Sequence, residues 1–402
     1  MTYRKRVLIS GAGPVGMITA LSLCRRGIPV TILEAGATVC QDLRATYYHA
    51  PSVEMLEGIG YLDKLLEGGT RDDSFRFTDS GLNRSVTIDL GILAKKYRTG
   101  FSVSAAQNWF TQVGYELLED QDCDFLFNHK VVDVRQDDAG VDVTVDVGGE
   151  IRHFQGDWLI GCDGGNSPTR IQQDIGFGGY TFPDRFLLIN TRHDFEPEHG
   201  RLDYRANGPD WRLVVRVPYG RGKDDWLYRI VSRVGPDESP EAVLAPAMLQ
   251  ARLNSVKPSD QPYEIANAAI YNVHQRVADT YRKGRILLAG DAAHLNNPIG
   301  GQGLNCGVHD AFNLVEKFAA VWQDGASSDL LDLYDRQRRQ TNWEWVQRVS
   351  VENKERNEET DLTKRAAAMD HLERVAVDDE ARLAFLYRWS MGESLDYAAN
   401  IS

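Results

Sequence analysis

Two glycine-rich turns, one near each end of the chain, constrain its fold more than any other feature. Val7-Leu-Ile-Ser-Gly-Ala-Gly-Pro-Val-Gly16 reads as a buried strand entering a glycine turn and then a helix over 14–27. Pro29-Val-Thr-Ile-Leu-Glu34 reads as a second buried strand. Strand, turn, helix and strand within about thirty residues make a parallel βαβ unit. Far along the chain, residues 284–290 read as another buried strand. After them, Pro298-Ile-Gly-Gly-Gln-Gly-Leu-Asn305 leads into a helix over 301–322. Both ends of the chain therefore contribute to one α/β unit, and the middle is an insertion.

The intervening pattern supports that division. Pro51 opens a helix carrying Val53, Leu56, Ile59 and Leu62, and another helix fits 104–120. In residues 130–157, Val131, Val134, Val141, Val143 and Val145 alternate with polar residues, which reads as a β-hairpin or meander. Trp158 to Asp163 returns to a buried strand with a glycine turn. Residues 178–276 alternate as strands around one helix at 239–254, so they form a separate antiparallel sheet. From Leu330 the chain is helical and charged. The expected organisation has a nucleotide-type domain first part at 1–177 and an inserted sheet domain at 178–276. The first domain resumes at 277–325, and a helical region follows at 326–402.

Composition narrows the function. With 402 residues the chain can bury two or three cores, and its net charge of −13 disfavours a nucleic-acid surface. The five cysteines are scattered and none forms a C-x-x-C pair, which favours a reducing cytoplasm over a disulfide framework. No ligand spacing implies a metal, and no apolar run reaches the length of a membrane span.

Gly11-Ala-Gly13-Pro-Val-Gly16 has the spacing of a dinucleotide site. Gly11 permits the tight turn, Gly13 lets a pyrophosphate approach the main chain, and Gly16 lets helix and strand pack closely. Pro14 and Val15 open the helix at the phosphates. Glu34, with Ala35 beside it, ends the second strand where an acid takes the adenosine ribose hydroxyls. Its charge also repels a ribose 2′-phosphate. At the other end, Asp291 projects from the C-terminal end of a buried strand after Gly290, where it can accept hydrogen bonds from a ribityl chain. Pro298, Gly301, Gly303, Leu304 and Asn305 then offer close main-chain approach and a helix N-terminus to a flat ring that becomes negative on reduction. These features point to FAD.

The chain resembles the FAD-dependent aromatic hydroxylases, the single-component flavoprotein monooxygenases of the para-hydroxybenzoate hydroxylase type. The resemblance rests on Gly11-x-Gly13-x-x-Gly16, on Cys162-Asp163-Gly164-Gly165-Asn166-Ser167-Pro-Thr-Arg170, and on Gly290-Asp291-Ala-Ala-His294 with Pro298 to Asn305 and Asp310-Ala-Phe-Asn-Leu314. It implies a Rossmann-like FAD-binding domain with the inserted antiparallel sheet as substrate domain and a C-terminal helical region. It implies that Asp163 helps hold FAD and serves NAD(P)H use, that Asp291 takes the ribityl chain, and that Pro298 and its glycines line the flavin. Arg44 and Gln107 resemble residues near the FAD phosphates and ribityl chain. The chain has Cys162 where alanine is usual, and Asn297-Pro298 where a second proline is common.

The resemblance also implies the reaction. NAD(P)H binds transiently, since only one dinucleotide fingerprint is present, and reduces FAD. O2 then gives a flavin hydroperoxide that hydroxylates a phenolic or N-heteroaromatic small molecule. A free phenol has a pKa of about 10, so the site should supply a base or a hydrogen-bond relay. Strand alternation puts Tyr204, Arg212, Arg216 and Tyr228 forward as substrate-facing residues, with an arginine suiting a carboxylate. Pro298 and His49 are further candidates near the ring, and His294 is expected to hold its loop. A homodimer is one expected assembly. The alternatives are a same-fold flavin enzyme of other chemistry, such as an isoprenoid reductase or a halogenase, and a FAD-bearing regulatory protein.

Overall fold

The computed structural model describes residues 5–41, 46–219 and 225–402. Its first sheet has six strands in the order Arg282–Lys283, Ile286–Leu288, Trp158–Gly161, Val7–Ser10, Val30–Leu33, Cys123–Leu126. All neighbours are parallel except the 282–283 edge pair. These strands are apolar on both sides because both faces are covered. Val7, Ile9, Ile32, Ile160 and Leu287 meet helices Pro14–Cys24, Gln107–Leu118 and Gln302–Gln323. Leu8, Leu33, Leu159 and Ile286 meet a three-stranded antiparallel layer, Lys130–Gln136, Val141–Val147 and Glu150–Gly156. One residue of register separates the two faces.

The second sheet has eight strands, in the order His294–Leu295, Ile265–Ala278, Phe177–Thr191, Trp226–Val234, Arg212–Pro218, Leu202–Ala206, Ser74–Asp79, Arg84–Asp89. It differs from the expected inserted sheet in three ways. Two of its strands, Ser74–Asp79 and Arg84–Asp89, come from inside the 1–177 segment, and the first pairs parallel to Leu202–Ala206. The apolar Phe75 and Phe77 face inward and carry the period-two signal that marks this strand. The sheet also hydrogen-bonds to His294–Leu295, so it runs into the nucleotide domain without a linker. Finally, the helix expected at 239–254 is two helices, Pro240–Val243 and Pro246–Asn254. Pro246 lacks the N–H that a continuous helix would need there.

A small third sheet, Tyr47–Tyr48, Ser102–Ser104 and Thr70–Asp72, touches the eight-stranded sheet where Ser102–Ser104 meets Arg212–Pro218. The C-terminal helices lie against both large sheets. Helix Asp329–Gln340 packs on Gln302–Gln323, continues through a π-helical turn at Thr341–Val346 and runs on to Glu358. Helix Leu362–Val377 lies on the strand Arg84–Asp89, and Arg365 grips Asp79 with two hydrogen bonds of 2.8 and 2.6 Å. Phe385 and Trp389 complete an aromatic cluster with Phe75, Phe77 and Tyr204.

Candidate active site

One cavity of about 620 Å³ runs from the first glycine turn to the inner face of the eight-stranded sheet. At its first end the wall is main chain. Gly11 has φ +99°, and a Cβ there would lie 2.6 Å from the Cys162 carbonyl oxygen. A Cβ on Gly16 would lie 2.1 Å from the Gly11 carbonyl oxygen, so Gly16 packs behind the wall. A Cβ on Gly13 would meet nothing within 4 Å: it would enter the cavity. Gly13 caps the helix without a side-chain partner for the helix N–H groups, and Pro14 and Val15 line the space beside it. Glu34 is fixed by the Ala12 and Gly36 N–H groups at 2.7 and 2.6 Å, and borders the cavity with Ala35.

Further along, Asp163 accepts hydrogen bonds from Ser10 Oγ (2.9 Å) and from Thr169 N and Oγ1 (3.1 and 2.6 Å), all on one oxygen. Its other oxygen is buried with no hydrogen-bond partner. Gln107 lines the same stretch and donates to Cys40 Sγ at 3.3 Å. Arg44 lies outside the described residues. Asp291, Pro298, Gly301, Gly303 and Leu304 continue the wall, and the helix Gln302–Gln323 starts from Gly301 with no side-chain cap. An unpartnered carboxylate oxygen, an open glycine and two uncapped helix starts along one channel suit the ribityl, pyrophosphate and ring of FAD.

Three expected contact residues sit behind this wall. Gly290, at φ +63°, gives its N–H to Asp310 Oδ2 at 3.0 Å and faces Val15. Asn305 is fully buried; it accepts from the His49 N–H at 2.9 Å and donates to the Tyr47 and Gly301 carbonyls at 2.9 and 2.6 Å. His49 lies 2.9 Å through Nε2 from the Gly300 carbonyl, which can only accept, so that nitrogen carries the proton. Burial lowers its pKa to about 4, and the neutral ring braces the glycine loop instead of reaching the chamber.

A buried charge network anchors the turn. Asp310 accepts from Gly290 N, from His294 Nε2 at 2.7 Å and from Arg338 Nε at 2.7 Å. Burial alone would raise the Asp310 pKa; His294 and Arg338 outweigh it and hold the carboxyl below its ordinary range. His294 is displaced the other way: burial opposes its charge, but Cys306 and Asp310 raise it. His294 therefore holds its loop, as expected. Arg338 was not legible, because one arginine in a charged helix reads as solvated.

At its far end the cavity becomes an apolar chamber walled by Phe186, Tyr204, Trp211, Leu213, Val215 and Val273, with the Arg229 guanidinium set among them. Arg229 is 3% exposed and gives Nε–H to Asn190 Oδ1 at 3.1 Å. Burial lowers its pKa to about 10, which leaves it a cation at neutral pH.

The FAD-binding domain family profile matches residues 4–349, most of the chain. The chain belongs to the FAD-dependent aromatic hydroxylases. The hydroxylase is 31% identical over 358 residues to the 6-hydroxy-3-succinoylpyridine 3-monooxygenase of Pseudomonas putida (strain DSM 28022 / S16), covering 88% of this chain and 89% of that one. It is 31% identical to the para-nitrophenol 4-monooxygenase of Pseudomonas sp. (strain WBC-3), covering 86% of each. The crystal structure of p-nitrophenol 4-monooxygenase from Pseudomonas putida DLL-E4 superposes with a TM-score of 0.91 at 30% identity, over 98% of this chain and 99% of that one. FAD is the cofactor of the hydroxylase, with NAD(P)H as reductant. Among the described residues, no helix is long and apolar enough to cross a membrane.

The chamber corrects the expected substrate-facing residues of the hydroxylase. Leu213 and Val215 face inward, so Arg212 and Arg216 face outward. Arg216 pairs with Glu196 at 3.0 Å and lies over Trp226; Arg212 donates to the Asp210 and Trp211 carbonyls at 2.8 and 2.9 Å. On the next strand Val215 registers with Arg229, and Arg216 with Tyr228. Tyr228 thus joins the outer face, packing on Phe195 and donating to the Gly200 carbonyl at 2.9 Å. The alternation was readable but not its phase, because Val243, Leu249 and Leu253 cover the outer face as well. Tyr204 does line the chamber, and Arg229 is the cation that the pattern missed.

Proposed function

We propose that this hydroxylase acts on small phenolic or N-heteroaromatic substrates carrying an anionic or strongly polar group, which Arg229 receives. The observation that carries this reading is a buried cation in the wall of an apolar chamber continuous with the flavin-lining glycines. A guanidinium held in place in an apolar wall offers a directed cation to an anionic or strongly polar ring substituent. The two relatives named above act, by name, on a hydroxypyridine and a nitrophenol. Bound FAD supplies hydride acceptance from the nicotinamide and oxygen transfer to the ring. The chain's own part is to hold and dry the substrate. Phe186, Trp211, Val215 and Val273 exclude water, Tyr204 offers its ring to the substrate, and Pro298 with Gly301 places the chamber against the flavin. Asp291, Asp163, Gln107 and Glu34 hold the cofactor along its length.

The test is NADH and NADPH oxidation by the FAD-loaded protein over phenols, hydroxybenzoates and hydroxypyridines. A hydroxylase accelerates about tenfold or more with its substrate and forms a hydroxylated product. No stimulation by any ring hydroxyl compound would favour other flavin chemistry on this fold. The same reading carries a homodimer in a reducing cytoplasm, supported on the second point by five free cysteines; sedimentation of the purified protein checks the first.

A further inference from the structure

Behind the far wall of the chamber stands a second arginine that the site above does not use. Helix Gln347–Glu358 carries Asn353, Arg356 and Asn357 at helical spacing, so the three share one face. The Arg356 guanidinium lies 5.2 Å over the Phe77 ring and 5.2 Å over the Trp389 ring. Phe77 and Trp389 also pack on Tyr204, with ring centroids 5.4 and 5.2 Å away, and Tyr204 borders the chamber. Arg356 thus sits one ring behind the substrate wall. Phe75 and Phe385 both stack on Trp389, at 20° and 16°, and fix the plane of its indole.

This cation lacks a counter-ion. One hydrogen bond leaves the guanidinium, from Nη2 to Asn353 Oδ1 at 3.1 Å. Its Nε is buried without a partner, and so are Trp389 Nε1 and Asn357 Nδ2, in residues 5% and 2% exposed. Among the described residues no carboxylate pairs with Arg356. Glu352, whose charge does reach it, is held by Arg348 and Arg388 at 3.0 and 2.7 Å. Burial lowers the Arg356 pKa to about 10, which leaves it charged at neutral pH. Buried charges are ordinarily paired, and buried polar atoms ordinarily bonded. The unpartnered atoms here are all donors. A water molecule would bring further donors among them, whereas an anion brings only acceptors.

We propose that Arg356, Trp389 Nε1 and the Asn357 amide hold a small monovalent anion behind Tyr204, at a site separate from Arg229. The guest is of halide or formate size. Phe77, Tyr204 and Trp389 pack against one another beside the guanidinium, which limits the guest to a few atoms. Arg356 keeps part of its surface accessible, so the guest can enter. Its charge offsets that of Arg356, and its acceptor positions tie helix Gln347–Glu358 to the aromatic wall. The bound anion thereby steadies Tyr204 at the edge of the chamber. The inference does not depend on which ring the chamber takes.

The test uses the FAD-loaded protein without substrate, with bromide replacing gluconate at constant ionic strength. Tm should rise with bromide and level off, and formate should compete with it. Crystals grown in bromide should show its anomalous signal beside Arg356 Nε and Trp389 Nε1. Trp389→Phe keeps a ring for the guanidinium and removes one donor, so it should weaken bromide about tenfold. Arg356→Met should abolish the saturable rise, and Arg229→Met should keep it. If Arg356→Met does not fold, the Trp389→Phe titration and the bromide signal decide the matter. A rise that never saturates, equal affinity in wild type and Trp389→Phe, or loss of the rise in Arg229→Met overturns the assignment. So does a bromide crystal with water alone beside Arg356.

Discussion

At the dinucleotide end of the cavity the wall is main chain, held by glycines whose missing side chains are what the ligand needs. At the substrate end it is side chain, presented by strands whose two faces are both buried. The first kind of wall tolerates almost no change of sequence. The second is set by phase: one residue of slip would exchange Arg229 for Tyr228, and Val215 for Arg216. Cofactor binding is thus fixed by residue type, and substrate choice by register.

The largest expected effect tests the rigid end. Asp310→Ala leaves His294 and Arg338 buried without their shared carboxylate. Stability should fall by about 3–5 kcal/mol, with FAD loss at lower denaturant, read by urea unfolding and flavin fluorescence. A variant that kept wild-type stability and FAD affinity would erase the contrast between the two ends.

Asp72 gives an effect of similar size with the opposite sign. Its carboxyl titrates at about 6 in the fold against an ordinary 3.8. Above about 6 both the folded and unfolded chains carry the charge and the burial penalty is complete. As pH falls through about 6 the folded form takes a proton first, and the penalty is gone below the unfolded value. Asp72→Asn should therefore stabilise the protein by up to about 3 kcal/mol at pH 8 and by little at pH 4, read as the difference in Tm.

The face assignment is sharpened by a matched pair. Arg229→Met should weaken binding of an anionic substrate about 10- to 100-fold with FAD content unchanged. Arg216→Met, one residue of register away, should change KM by less than about threefold, since its partner Glu196 is part-exposed. Equal effects would mean that the chamber does not read phase. The smallest effect belongs to Tyr228→Phe: about 1 kcal/mol of stability for the lost bond to Gly200, with kcat unchanged.

This contrast also explains what could be read from sequence. Gly11, Gly13 and Gly16 announce their roles because only glycine meets the local geometry, and Asp291 because it follows a strand into a glycine turn. Ser74–Asp79 was not assigned to the substrate sheet, because its partner strand lies more than a hundred residues away in sequence. Gly290 and Asn305 belong to the expected loop and His49 was expected near the ring, but all three stand one layer behind the wall, a distinction of depth that a string of residues does not carry. Asp72 and Ser104 gave no signal, since short polar strands between longer elements resemble loops.

The clasp between Arg365 and Asp79 has a bearing on how the protein comes off the ribosome. The residues it joins are 286 positions apart. Phe75 and Phe77 meet Phe385 and Trp389 only when residues 385–389 have been synthesised. The six-stranded sheet, whose strands all precede residue 289, can assemble much earlier. A nascent chain could thus load its flavin while the compartment beside it still stands open to water, and that compartment would seal last.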